Sequence, residues 1–137
     1  MKRVFVSVPM SDKSDDEIRQ AIVKLHQIAE LLEGQQLTLV DNFDPDALTS
    51  DSAEPYNKEC MHLLSKAIDK MAECDIFIGV ETWGYRGCMN EARIANDYGL
   101  KVYMMNYKYI FGEFEECHDD GVRGLREATN ECVANNC

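Results

Sequence analysis

The chain contains no apolar run near the roughly 18 residues that a bilayer-crossing helix requires. The apolar stretch in its opening MKRVFVSVPM is too short for a secretory signal. Both absences argue against a membrane partner and lead to the expectation of a cytoplasmic protein. The six cysteines, Cys60, Cys74, Cys88, Cys117, Cys132 and Cys137, form no C-x-x-C pair. Neither a disulfide framework nor a zinc site is signalled, and reduced thiols are expected. His26, His62 and His118 share no ligand spacing, so no metal is expected.

Basic residues are scarce. Lys and Arg number 14 against 25 Asp and Glu, for a formal net charge of -11. Such a surface repels a polyanion, which argues against duplex DNA or RNA as a partner. A single nucleotide is a different case, because a small anion needs only a few local donors. No G-x-x-x-x-G-K-[ST] loop and no G-x-G-x-x-G helix opening occurs, so P-loop ATPase and dinucleotide-dehydrogenase chemistry lose their motifs and no cofactor is expected. There is no internal repeat, low-complexity tract or linker, and 137 residues suit a single domain.

What is present alternates. VFVSV, residues 4–8, reads as a buried strand with Pro9 ending its ladder. Ser14 and Glu17 then have capping-box spacing, Ile18, Ala21, Ile22, Leu25, Ile28, Ala29 and Leu32 recur at helical intervals, and Gly34 supplies a stop. LTLVD, residues 37–41, is a second strand, followed by a long polar loop over residues 42–57. A helix over residues 58–73 is expected to present Met61, Leu64, Ile68 and Met71 on one face. DIFIGV gives a third strand, residues 87–98 a third helix and KVYMM a fourth strand. Residues 107–121 fit a loop, a short helix or an edge segment, and residues 122–133 show partial helical periodicity through Leu125, Ala128 and Cys132.

Strands alternating with helices predict an α/β fold: a flavodoxin-like (Rossmann-like) three-layer sandwich with a mostly parallel sheet of four or five strands. In such sheets ligands bind beyond the carboxyl ends of the strands. Three segments qualify: the turn through Pro9, Met10 and Ser11, with Ser7 just before it; Asp41 to Phe43; and ETWGYRGCMNE, residues 81–91. Glu91 would lie within about one turn of the third helix's start, where the helix dipole favours an ionised carboxylate and makes a nucleophile available. The same spacing also fits a routine first-turn acid. Trp83 and Tyr85 offer flat faces for a base or sugar, or for core packing. Arg86 suits a phosphate or carboxylate, or an ion pair with a neighbouring acid. Gly84 and Gly87 fit a tight turn or a close approach of ligand to backbone. Cys88 at a helix start is a candidate for a lowered thiol pKa. The run EFEECHDD reads as a solvated acidic face.

These segments together carry a family likeness. VFVSVPMSDKSDDEI resembles the opening of small proteins of the nucleoside 2-deoxyribosyltransferase-like superfamily. CDIFIGVETWGYRGCMNEARIANDYGLKV resembles their third strand, their Trp…Arg-Gly-[Ala/Cys]-x-x-Glu segment and the A-x-x-x-G-x-x-[VI] that follows. The likeness covers about residues 2–105 and is strongest to a small bacterial and phage branch. It implies a pocket for a nucleoside or nucleotide. The glutamate matching Glu91 would attack C1′ of the sugar, and water or a second base would resolve the glycosyl ester. It also implies a homodimer or higher homo-oligomer, since small members complete their pockets across an interface. Ser7, Pro9, Met10, Asp41, Phe43, Trp83, Arg86, Gly87 and Cys88 are the ligand-binding candidates.

The chain departs from the pattern at two places. Phe5 stands where cleaving members carry a tyrosine, and Ala67 stands where they carry an aspartate. Asp69, two residues on, is rotated about 200° around the helix, which leaves Asp41 as a candidate replacement. Three readings follow: an N-glycosidase or deoxyribosyltransferase, a nucleotide sensor or sequestering protein with the same pocket, and a partner-binding subunit with a degenerate pocket.

Overall fold

A computed structural model describes residues 1–44 and 58–115. The elements run β1 (Arg3–Val6), α1 (Asp15–Glu33), β2 (Thr38–Asp41), α2 (Lys58–Met71), β3 (Ile76–Glu81), α3 (Arg86–Asp97), β4 (Lys101–Asn106) and α4 (Tyr107–Phe111). The four strands are all parallel, in the order β2-β1-β3-β4. With helices on both faces this is the flavodoxin-like three-layer arrangement. The helix expected over residues 122–133, and residues 45–57 of the expected loop, lie outside the described residues.

Alternation along the strands divides the core in two. Val4, Val6, Ile76, Ile78 and Val80 face α1 and α4, whereas Phe5 and Phe77 face α2 and α3. β3 is buried through five consecutive residues, as a central parallel strand covered on both faces must be. Gly79 lies on the same side of β3 as Phe77. A Cβ built there would come 2.9 Å from the Phe77 ring, so glycine makes room for the stacked Phe5–Phe77 pair, whose centroids are 5.9 Å apart.

α1 forms as its sequence directs. Ser14 Oγ accepts from the Glu17 amide, the Glu17 carboxylate accepts from the Ser14 amide, and Gly34 closes the helix in the left-handed region at φ 67°. His26 is packed rather than solvated: its Nε2 lies 2.8 Å from the Leu37 carbonyl, which can only accept, so this nitrogen carries the proton. α2 departs from expectation. Its buried side runs through Ala67 and Met71, while Met61 and Ile68 stay exposed. Small Ala67 and Met71 occupy the side toward the sheet, and Met61 and Ile68 turn outward. The segment after β4 begins as a short helix because the Asn106 side chain accepts from the Lys108 and Tyr109 amides.

Candidate active site

The chain leaves β1 toward β2 on one side and passes from β3 to β4 on the other, so the switch point of the sheet lies between β1 and β3. In open parallel sheets ligands bind beyond the carboxyl ends of the strands that flank such a point. Ser7 and Thr82, the residues that follow these strands, are the buried polar side chains among the described residues, each 2% exposed. Ser7 extends the β1 ladder by one bond, donating its amide to the Ile78 carbonyl at 2.9 Å. By alternation its side chain shares the face of Phe5, beneath α3.

Each of the two buried hydroxyls meets a carboxylate. Ser7 Oγ donates to Glu91 Oε1 at 3.1 Å. Thr82 Oγ1 donates to Glu115 Oε2 at 2.8 Å, while the Trp83 and Gly84 amides donate to the same carboxylate at 2.9 and 2.7 Å. Tyr85 caps α3 without a side-chain hydrogen bond; its amide donates to Thr82 Oγ1 at 3.1 Å. Along α3, Cys88 and Ala95 are buried and Glu91 falls between them on the stripe that faces the sheet.

Glu91 corrects one expectation. α3 begins at Arg86, so Glu91 is its sixth residue and lies outside the first turn, where the dipole is effective. Burial therefore dominates: it raises the carboxyl to about 7, and the Ser7 hydroxyl opposes that rise only in part. Near neutral pH the group is divided between acid and carboxylate. Cys88 is corrected too. Its thiol is pushed up, first by burial and then by the Glu91 carboxylate, so it is a packed thiol and no thiolate nucleophile. The Tyr85 hydroxyl is likewise pushed up by burial and by Tyr107, on whose ring it stacks at 6.5 Å.

The other candidates divide. Trp83 is half-buried in the loop beside Glu115, and Arg86 and Gly87 are exposed at the start of α3. Gly87 makes no tight turn, and a Cβ there would meet nothing within 4 Å, which leaves open space on that side. Pro9 is fully buried, and Met10 and Phe43 pack against the α1-side core, with the Arg19 guanidinium 5.2 Å from the Phe43 ring. Asp41 pairs in register with Val6 and so points to the α1 side of the sheet. Its carboxylate accepts from the Phe43 amide at 2.9 Å, closing its own turn. It lies on the wrong face to replace an acid at position 67. Phe5 and Ala67 are both 0% exposed and share one apolar cluster, so the two departures from the family pattern coincide in space.

Sequence reasoning missed three contributors. Thr82 was signalled by a polar residue at the end of a continuous apolar strand. Glu115, placed in a solvated acidic face, instead holds the β3–α3 loop. Lys13 hydrogen-bonds the Tyr107 hydroxyl and lies over the Tyr107 and Phe111 rings. Those contacts bring the β1–α1 loop, Tyr85 and α4 together at the rim. Among the described residues no group of three or more His, Cys, Asp and Glu gathers to hold a metal ion, and no helix is long and apolar enough to cross a membrane. Comparison with protein-family models, curated proteins and solved structures finds no match to this chain.

Proposed function

We propose that the protein cleaves or transfers across the N-glycosidic bond of a nucleoside or nucleotide, with Glu91 as nucleophile, as its likeness to the 2-deoxyribosyltransferase-like proteins implies. The observation that carries this reading is the Ser7–Glu91 hydrogen bond at the switch point. The family's orienting tyrosine is Phe5 here, and Ser7, two residues along the same face of β1, returns a hydroxyl to the carboxylate. With Oε1 held by Ser7, Oε2 is presented to the sugar.

In the first step Oε2 attacks C1′ and the C1′–N bond breaks. Its electron pair goes to the base nitrogen, which takes a proton from solvent. In the second, water attacks C1′, gives up a proton to bulk and releases Glu91 as carboxylate; a second base attacking in place of water gives transfer. No acid occupies position 67 to protonate the leaving base, which costs about 10²- to 10⁴-fold in rate. Turnover is accordingly slow.

The test is a panel of deoxynucleosides, ribonucleosides and their monophosphates, alone and with acceptor bases, followed by chromatography for free base. Release that disappears in Glu91→Ala supports the reading, and equal release in both proteins ends it. The apolar setting of Phe5 and Ala67 favours a second reading, a nucleotide sensor or sequestering protein that keeps the pocket without the reaction. Sub-millimolar binding by calorimetry with no base release distinguishes it.

A further inference from the structure

The β3–α3 loop binds an anion that the chain itself supplies. Glu115, 31 to 33 residues further along, sets one oxygen on the Trp83 amide and the other on the Gly84 amide and the Thr82 hydroxyl. These donors precede α3 and its cap. Thr82 is 2% exposed, and its oxygen already accepts from the Tyr85 amide, so its proton is directed at the carboxylate. Two backbone N–H groups and one oriented hydroxyl converging on the two oxygens of one carboxylate form a receptor for an oxyanion. If Glu115 withdrew, Thr82 would keep a buried donor with no acceptor, so a replacement anion is favoured over an empty loop. The Cys88 thiol feels both Glu91 and Glu115, which places the two carboxylates around one residue of α3.

From this we infer that residues 82–84 are an oxyanion site, for a phosphate monoester or a carboxylate, and that Glu115 is an internal occupant which the ligand displaces. The inference goes beyond the glycosidic reading and requires no reaction at Glu91. A tethered carboxylate competes at an effective concentration of about 1 mM, so for a site that holds a free carboxylate at a Kd of about 0.1 mM its removal tightens anion binding by about tenfold.

The test is an amide NMR titration with inorganic phosphate, a nucleoside monophosphate and acetate in separate arms. In Glu115→Ala the Trp83 and Gly84 amides shift saturably with phosphate, at an apparent Kd about tenfold below that of the unaltered protein. Glu113→Ala makes the same change in net charge at an exposed neighbour and leaves the Kd unchanged. In the unaltered protein the Glu115 side-chain carboxyl carbon shifts with the same midpoint as the two amides, which tests displacement without any variant. The phosphate and nucleotide arms separate a bare phosphate receptor from one that also reads the nucleoside. Absence of a saturable shift at Trp83 and Gly84 in Glu115→Ala, an equal gain in Glu113→Ala, or amide shifts with a stationary Glu115 carboxyl would each overturn the inference.

Discussion

Ser7 Oγ stands 3.1 Å from Glu91 Oε1, joining the residue after β1 to the sixth residue of α3 across the switch point of the sheet. This contact decides how a half-buried carboxyl behaves. Burial raises Glu91 to about 7, and the Ser7 hydroxyl, which stabilises the charged form, keeps the rise from going further. On the proposed glycosidic reading Glu91 must be ionised to attack, so activity is expected to rise with pH through about 7 and to level above it.

Replacing Ser7 by Ala removes the bond that favours the carboxylate. A hydrogen bond to a charged group contributes about 1.5–3 kcal/mol, so the midpoint of the ascending limb of kcat/KM moves up by about one pH unit or more. At alkaline pH most of the rate returns. A limb that stays near 7 would show that the hydroxyl does not act on Glu91.

Under the proposed function Glu91→Gln is expected to abolish turnover, and independently of it to stabilise the fold at alkaline pH. The carboxyl stands at about 7 in the folded state against 4.5 for an unperturbed group. Its contribution to stability is fully present below 4.5 and is lost as pH rises through 7. The difference approaches about 3 kcal/mol above pH 8. Denaturant melts of both proteins at pH 5 and pH 8.5 measure it: the variant gains at the higher pH relative to the lower. An equal difference at both would contradict burial as the cause of the shift.

Much of this arrangement was legible in residue order alone. Ser14, Glu17 and Gly34 delimit α1 through local hydrogen bonds, so the helix needed no tertiary information. The face of α2 misled because Met61 and Ile68 carry the stronger apolar signal, while alanine at position 67 permits close packing that only the sheet reveals. Glu91 stood out because it closes the segment that joins the third strand to the third helix, near that helix's start, and matches the glutamate of the resembled proteins. Its ionisation did not, because the helix starts at Arg86 and desolvation then outweighs the dipole. Glu115 was hidden: its donors are 31 or more residues away, and an acidic run gives no sign that one member turns inward.

Gly79→Ala destabilises the protein by about 1–3 kcal/mol. The added methyl would meet the Phe77 ring at 2.9 Å, and that ring is held by its stack on Phe5. Gly87→Ala, in open space on α3, costs little or adds stability through helix propensity. Paired urea melts check the contrast, and equal costs at the two positions would refute it.

Ala67→Asp does not restore a working acid. Position 67 is 0% exposed among Phe5, Met71 and Phe77, so an isolated carboxylate there is protonated or unfolds the helix. A loss of about 3 kcal/mol or more in stability is expected, without faster base release. Faster release from a stably folded variant would show that polar partners for the acid remain.

The most direct measurement is the mass of the peptide bearing Glu91 after a reaction with 2′-deoxynucleotide is quenched in acid. The account predicts one added sugar or sugar-phosphate on Glu91, absent from Glu91→Gln and more abundant at pH 8 than at pH 6. Base release with no adduct on Glu91, or an adduct of equal abundance in Glu91→Gln, would contradict it.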